Sequence, residues 1–194
     1  MRRAIVLVLL LACGLVWADS WPAAKIAAMA SPSGRVVVRV IPGTNLGAVY
    51  GFAGAKAGKP ATAVYYRVGA GDEYLKYQEV SLQNPIAPVF FAVSDAGELV
   101  TLDNWHNMGV GNAVVIYRPD GQVLRSYELV QIFSTSELQK IRQSVSSIWW
   151  RCNSPPIFEP RTSSLEFEAE LGFNVEVNLK TGVLIKNTSS RKAC

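Results

Sequence analysis

The sequence predicts a mainly β chain: antiparallel, meandering sheets with one amphipathic helix packed on them. Three observations carry this. Turn tetrapeptides recur between runs of β-branched and aromatic residues. Residues 89–129 read as two successive β-hairpins. One segment alone, beginning at Ser134, joins a helix start to apolar residues at helical spacing.

The elements follow in chain order. Ser31-Pro32-Ser33-Gly34 is a turn that feeds a strand over 35–40. Residues 43–60 are rich in Gly and Ala and read as loop. Residues 63–68 and 77–82 alternate as strands, the second stopped by Asn84-Pro85. Ser94-Asp95-Ala96-Gly97 and Arg118-Pro119-Asp120-Gly121 are the turns of the two central hairpins. In such turns Gly takes positive φ and Asp bonds its own backbone.

Ser134 and Glu137 then form a capping box, with Phe133 and Leu138 placed as a hydrophobic staple. Leu138, Ile141, Val145, Ile148 and Trp149 recur on one helical face, so a helix is expected from Ser134 until Pro155-Pro156 closes the segment. Residues 165–171 alternate as a half-buried strand with acids outward. Val175, Val177 and Leu179 repeat the pattern before the Lys180-Thr181-Gly182 turn and a last strand over 183–186.

Met1-Arg2-Arg3 followed by an apolar run to Ala18 has the form of a signal peptide, with Val16-Trp17-Ala18 as cleavage site. The expected organisation is a signal peptide over 1–18 and a single mainly β domain over 19–194, exported to the periplasm or secreted. The run is shorter than the about 20 apolar residues that span a bilayer. Leu10-Leu11-Ala12-Cys13 offers a competing route, a relaxed lipobox with a lipid anchor at Cys13. The apolar residues after Cys13 argue against it, because lipoprotein tethers are polar. The formal charge is +4, and removing Arg2 and Arg3 halves it. No Lys/Arg stripe remains, so nucleic acid is not an expected partner. Cys152 and Cys194 make an even mature count, and export favours one disulfide between them.

The chemical candidates cluster at Asp103-Asn104-Trp105-His106-Asn107, between the hairpins. His106 is the single histidine of the chain. An Asp near a His can orient the ring for general acid–base work, which makes Asp103 and His106 the catalytic candidates. Asn104, Trp105 and Asn107 are the binding candidates beside them. The same residues also suit a structural corner, in which the Asp and Asn satisfy turn amides and Trp105 packs under the loop.

Glu166, Glu168 and Glu170 could supply paired carboxylates for glycoside hydrolysis, or a solvated strand face. One histidine and two distant cysteines make no zinc set, and Asp95, Asp103 and Asp120 form no contiguous calcium loop. Gly58-Lys59 is followed by Pro60 where a phosphate-binding loop needs Ser or Thr. No Gly-x-Ser-x-Gly elbow is present. No metal and no cofactor are expected.

The device of Ser-Pro-x-Gly and strand at 31–40, repeated in form at 94–102 and 118–127, resembles hairpins of bacterial β-propellers of the TolB or YVTN kind. The central block around Thr101-Leu102-Asp103-Asn104-Trp105-His106 also resembles exported bacterial proteins without an assigned activity. The resemblance implies propeller-like sheets without a closed ring, because blades of about 40 residues allow at most four here. It transfers no catalytic residue. The expected function is an exported, non-catalytic binding or structural domain for a protein or small-molecule ligand. The alternative is a small exported hydrolase using His106 and Asp103.

Overall fold

The computed structural model describes residues 21–44 and 58–189. The segment expected to be a signal peptide, with Cys13, most of the Gly/Ala-rich loop, and Cys194 lie outside the described residues.

Among the described residues twelve strands form three four-stranded antiparallel meanders. The first sheet holds β1 (Ala27–Ala30), β2 (Val36–Ile41), β3 (Thr62–Val68) and β4 (Tyr74–Ser81). The second holds β5 (Pro88–Val93), β6 (Leu99–Asn104), β7 (Asn112–Tyr117) and β8 (Val123–Glu128). The third holds β9 (Ile157–Glu159), β10 (Ser164–Ala169), β11 (Phe173–Asn178) and β12 (Leu184–Thr188). Each sheet is ordered as its strands occur in sequence, and none closes on itself. This matches the expected mainly β, propeller-like hairpins without a ring.

The turns expected from sequence form. Gly97 N–H donates to Ser94 O, and Gly121 N–H donates to Arg118 O. Gly121 has φ 86°, and a Cβ there would lie 2.4 Å from Val80 Cγ2, so the turn needs glycine for its backbone and its contact alike. Ser33 ties the first turn to the second: its N–H and hydroxyl both donate to Asp95 Oδ1, at 2.9 and 2.6 Å.

The second sheet is buried on both faces, and alternation assigns its side chains. Phe91, Val93, Val115 and Tyr117 meet Val36, Val38, Val40 and Tyr65 of the first sheet. Ala92, Val100, Leu102, Val114 and Ile116 meet Leu165, Phe167, Val175 and Val177 of the third. The two apolar layers explain why β6 and β7 read as nearly unbroken apolar runs. Tyr117 OH reaches the edge of its layer and accepts Gln83 N–H at 2.8 Å.

The long helix expected from Ser134 does not form. Two one-turn helices stand instead, α1 (Leu129–Ile132) and α2 (Thr135–Leu138). The capping box is present, with Glu137 N–H donating to Ser134 Oγ and Ser134 N–H to Glu137 Oε2. Past Gln139 the chain leaves the helix. Ser144 N–H donates to Ser147 O and Ser147 N–H to Ser144 Oγ, closing a local turn. Trp149 N–H then returns to Arg142 O. The Ser-Val-Ser-Ser-Ile run has weak helix propensity, and serine hydroxyls compete for backbone groups. Val145, counted on the apolar face, is fully exposed. The turn instead delivers Trp150 into the layer between the second and third sheets, where it is fully buried.

Trp150 lies edge-on to Phe133 and Phe167, with centroids 6.1 and 5.4 Å away. Lys186 of β12 covers Phe133 and Phe173 at 4.8 and 4.3 Å, and its Nζ pairs with Glu137 at 2.8 Å. That cation fastens α2 to the third sheet.

Candidate functional site

The corner between β6 and β7 holds all five candidate residues. Asp103 has φ 60°, and His106 has φ 73°. Both lie in the left-handed region, which Asp, Asn and His tolerate better than most side chains. Along β6 the alternation would turn Asp103 away from Leu102. The positive φ redirects its carboxylate to the Trp150 side of the sheet.

There Asp103 is completely buried and accepts three hydrogen bonds. Gly109 N–H and Trp150 Nε1–H donate to Oδ1 at 2.9 and 2.6 Å. Arg151 Nε donates to Oδ2 at 2.7 Å, and the Arg151 side chain is itself only 9% exposed. Burial pushes the carboxyl above its ordinary range, while Arg151, Trp150 and Gly109 pull the other way. All three partners are donors, so the geometry fits the ionised carboxylate.

The asparagines fix the loop. Asn104 Nδ2 donates to Val110 O, and Asn104 Oδ1 accepts from Asn84 Nδ2 at 2.9 Å. Asn107 N–H donates to Asn104 O, and its Nδ2 reaches Ser146 O at 3.2 Å. Gly109, at φ 72°, lets this loop press on the next. A Cβ there would lie 2.7 Å from Ile148 O.

Trp105 and His106 face outward from the same corner. Trp21, from the start of the described chain, joins them in an edge-on trio. Its centroid lies 5.5 Å from Trp105 and 5.9 Å from His106. Trp105 Nε1–H donates to Pro22 O at 2.9 Å, which straps residues 21–22 to the corner. Partial burial lowers the His106 pKa, because it disfavours the charged imidazolium. The structure therefore divides the predicted cluster. Asp103 points into the interior toward Trp150 and Arg151, while Trp105 and His106 form a surface patch with Trp21.

Beside Trp105 runs an apolar groove of about 360 Å³. Residues 22–27 form one wall, and Val40, Pro88, Val89 and Phe91 contribute to the other. Lys25 is the charged residue in it. A second recess of about 380 Å³ lies on the third sheet, with Glu166, Glu168, Asn174 and Ile157 in its lining. Glu170 falls past the end of β10, in a short 3₁₀ turn. Asp95 accepts from Ser33 of the first turn, and Asp120 serves its own, its Oδ1 accepting Gln122 N–H. Among the described residues no group of three His, Cys, Asp or Glu is placed to hold a metal ion.

Two residues of this corner were not marked by sequence reasoning: Trp21 and Arg151. Trp150 and Arg151 lie 47 and 48 positions from Asp103, and no local spacing announces such a contact.

No protein-family model matches the chain, and no curated protein matches it. Among solved structures the chain is similar to the periplasmic gluconolactonase PpgL of Pseudomonas aeruginosa, at 14% identity and a TM-score of 0.43. The similarity covers 78% of this chain and 38% of that one, so the chain spans less than two fifths of that protein's length. No helix of the described residues is long and apolar enough to cross a membrane.

Proposed function

We propose that this chain is an exported, non-catalytic binding domain whose site is the groove beside Trp105. The observation that supports it is the junction of an apolar groove with the Trp21–Trp105–His106 patch. Concave apolar surface with a few polar groups at its rim is the usual form of a small-ligand or peptide site. An indole edge offers a flat apolar body with one polar tip. The ligand class is a molecule with an apolar or aromatic face, and Lys25 favours a negative group at one end.

In this reading Asp103 acts as a scaffold. Its carboxylate holds Trp150, Arg151 and the Gly109 amide, which keeps the corner in one shape. The competing reading, a hydrolase using His106 and Asp103, needs the carboxylate to serve the imidazole. Its oxygens are engaged by three other donors.

The test is titration with 1-anilinonaphthalene-8-sulfonate as an apolar anionic probe. The folded protein should bind it saturably, Trp105→Ala should weaken binding at least tenfold, and the remote Val145→Ala should leave it unchanged. Equal binding by Trp105→Ala would remove the groove from consideration. A parallel screen against ester, lactone and glycoside substrates tests the enzyme. Turnover that falls a hundredfold in folded His106→Ala would establish the hydrolase instead.

A further inference from the structure

The three sheets stack in series, and each internal face is covered by its neighbour. That leaves two terminal faces, one on the first sheet and one on the third. Alternation identifies their residues, because the opposite set is already assigned to the apolar layers.

On the third sheet the register places Ile157, Glu166, Glu176 and Ile185 in one row across all four strands. The isoleucines are 68% and 47% exposed. Glu166 and Glu176 are direct cross-strand partners. Like charges placed opposite each other destabilise a sheet unless a cation lies between them. Neither glutamate forms an ion pair with a cation among the described residues.

On the first sheet, Val36, Val38 and Val40 face inward, so Val37, Arg39 and Ile41 face out. Tyr66 and the buried Val64 of β3 pair with Val37 and Arg39 and lie on that side of the sheet. Arg39 is exposed and forms no ion pair among the described residues. This face sets Arg39 among apolar residues, with the Lys76–Glu79 ion pair on its β4 edge. The other sets Glu166 and Glu176 between isoleucines, with Glu159 and Glu168 in the flanking rows.

We propose that these two faces pack on each other between two copies of this chain, with Arg39 of one copy between Glu166 and Glu176 of the other. The contact is head-to-tail, so it either closes into a ring or runs on as a filament. Two copies supply six sheets, within the four to eight blades at which stacked four-stranded sheets close. A face of four strands, six residues long, measures about 20 Å by about 19 Å. Four such faces, in two contacts, bury roughly 1,500 Å², the size of a stable interface.

Sedimentation velocity and light scattering on the exported protein, with and without reductant, test this. The wild type is expected as a dimer in both conditions. Arg39→Glu alone, and the pair Glu166→Lys with Glu176→Lys, should each run as folded monomers, with circular dichroism confirming the fold. Mixing the two charge-reversed proteins should restore a dimer, because both contacts of the mixed ring then join opposite charges. A monomeric wild type, a dimer indifferent to the reversals, or a mixture that stays monomeric would overturn the proposal. Assemblies larger than a dimer would overturn the closed ring.

Discussion

The Asp103 carboxylate holds the indole N–H of Trp150 at 2.6 Å, inside the apolar layer between the second and third sheets. The bond joins the end of a central strand to the turn that replaces the expected helix. Arg151 completes the arrangement from the next position along the chain. Removing one member of a buried ion pair leaves the other charge without a partner, at a cost of about 3–5 kcal/mol. Asp103→Ala is expected to destabilise by that amount in urea unfolding. Trp150→Phe keeps an aromatic ring but loses the donor, and should cost about 1–3 kcal/mol. In a double-mutant cycle, Asp103→Ala and Arg151→Met should couple by about 0.5–3 kcal/mol. Additive effects would mean that the pair does not act as a unit.

Gly109 is the position where backbone conformation and packing coincide. Its φ of 72° disfavours any Cβ, and the added atom would press on Ile148 O at 2.7 Å. Gly109→Ala should therefore lower stability by about 1–3 kcal/mol. It should also disturb the Trp105 environment, measured as a shift in tryptophan emission. A Gly121→Ala control should cost stability without that shift, because its turn lies at the other end of the second sheet.

Acid should loosen α2 before it unfolds the chain. The Lys186 ammonium and the Ser134 backbone and hydroxyl lower the Glu137 pKa from 4.5 to about 2. A carboxyl with a depressed folded-state pKa stabilises the fold above its unfolded value and loses that contribution as pH falls toward the folded one. The difference in Tm between wild type and Glu137→Gln should be constant above about pH 5. It should shrink progressively as pH falls from there toward 2. A difference that does not change with pH would show that the ion pair contributes nothing.

Export and the even cysteine count make two chemical predictions. Mass spectrometry of the protein from its host should find Asp19 as the N-terminus. A diacylated Cys13 would indicate a lipid anchor instead. Non-reducing peptide mapping should link Cys152 to Cys194. Such a bond closes a loop of about 40 residues and restricts the unfolded chain by roughly 4 kcal/mol in the entropy model. Two alkylatable thiols would exclude it.

The hairpins were legible because their signals are local. A turn such as Arg118-Pro119-Asp120-Gly121 states its own geometry, and alternation in residues 165–169 states which face is buried. The helix was misread because periodicity counts apolar residues without asking what the intervening serines do. Ser144 and Ser147 bond each other's backbone, and Trp150 gains more from the buried layer than a helix could give it. The five candidate residues lie together at one corner, but the division among them was not legible. A positive φ at Asp103 has no sequence marker, and it sends one side chain inward while Trp105 and His106 stay out.

The middle sheet also sets the order in which the molecule can come apart. The two apolar layers share no residue, yet both are built on β6 and β7. Either outer sheet can detach while the other layer persists, but the central strands cannot open without breaking both. Their amides should be the slowest in the chain to exchange with deuterium, protected until global unfolding, while β1 and β12 exchange through local openings. During synthesis the first layer is complete once β8 has emerged. The third sheet then docks on a platform that is already folded.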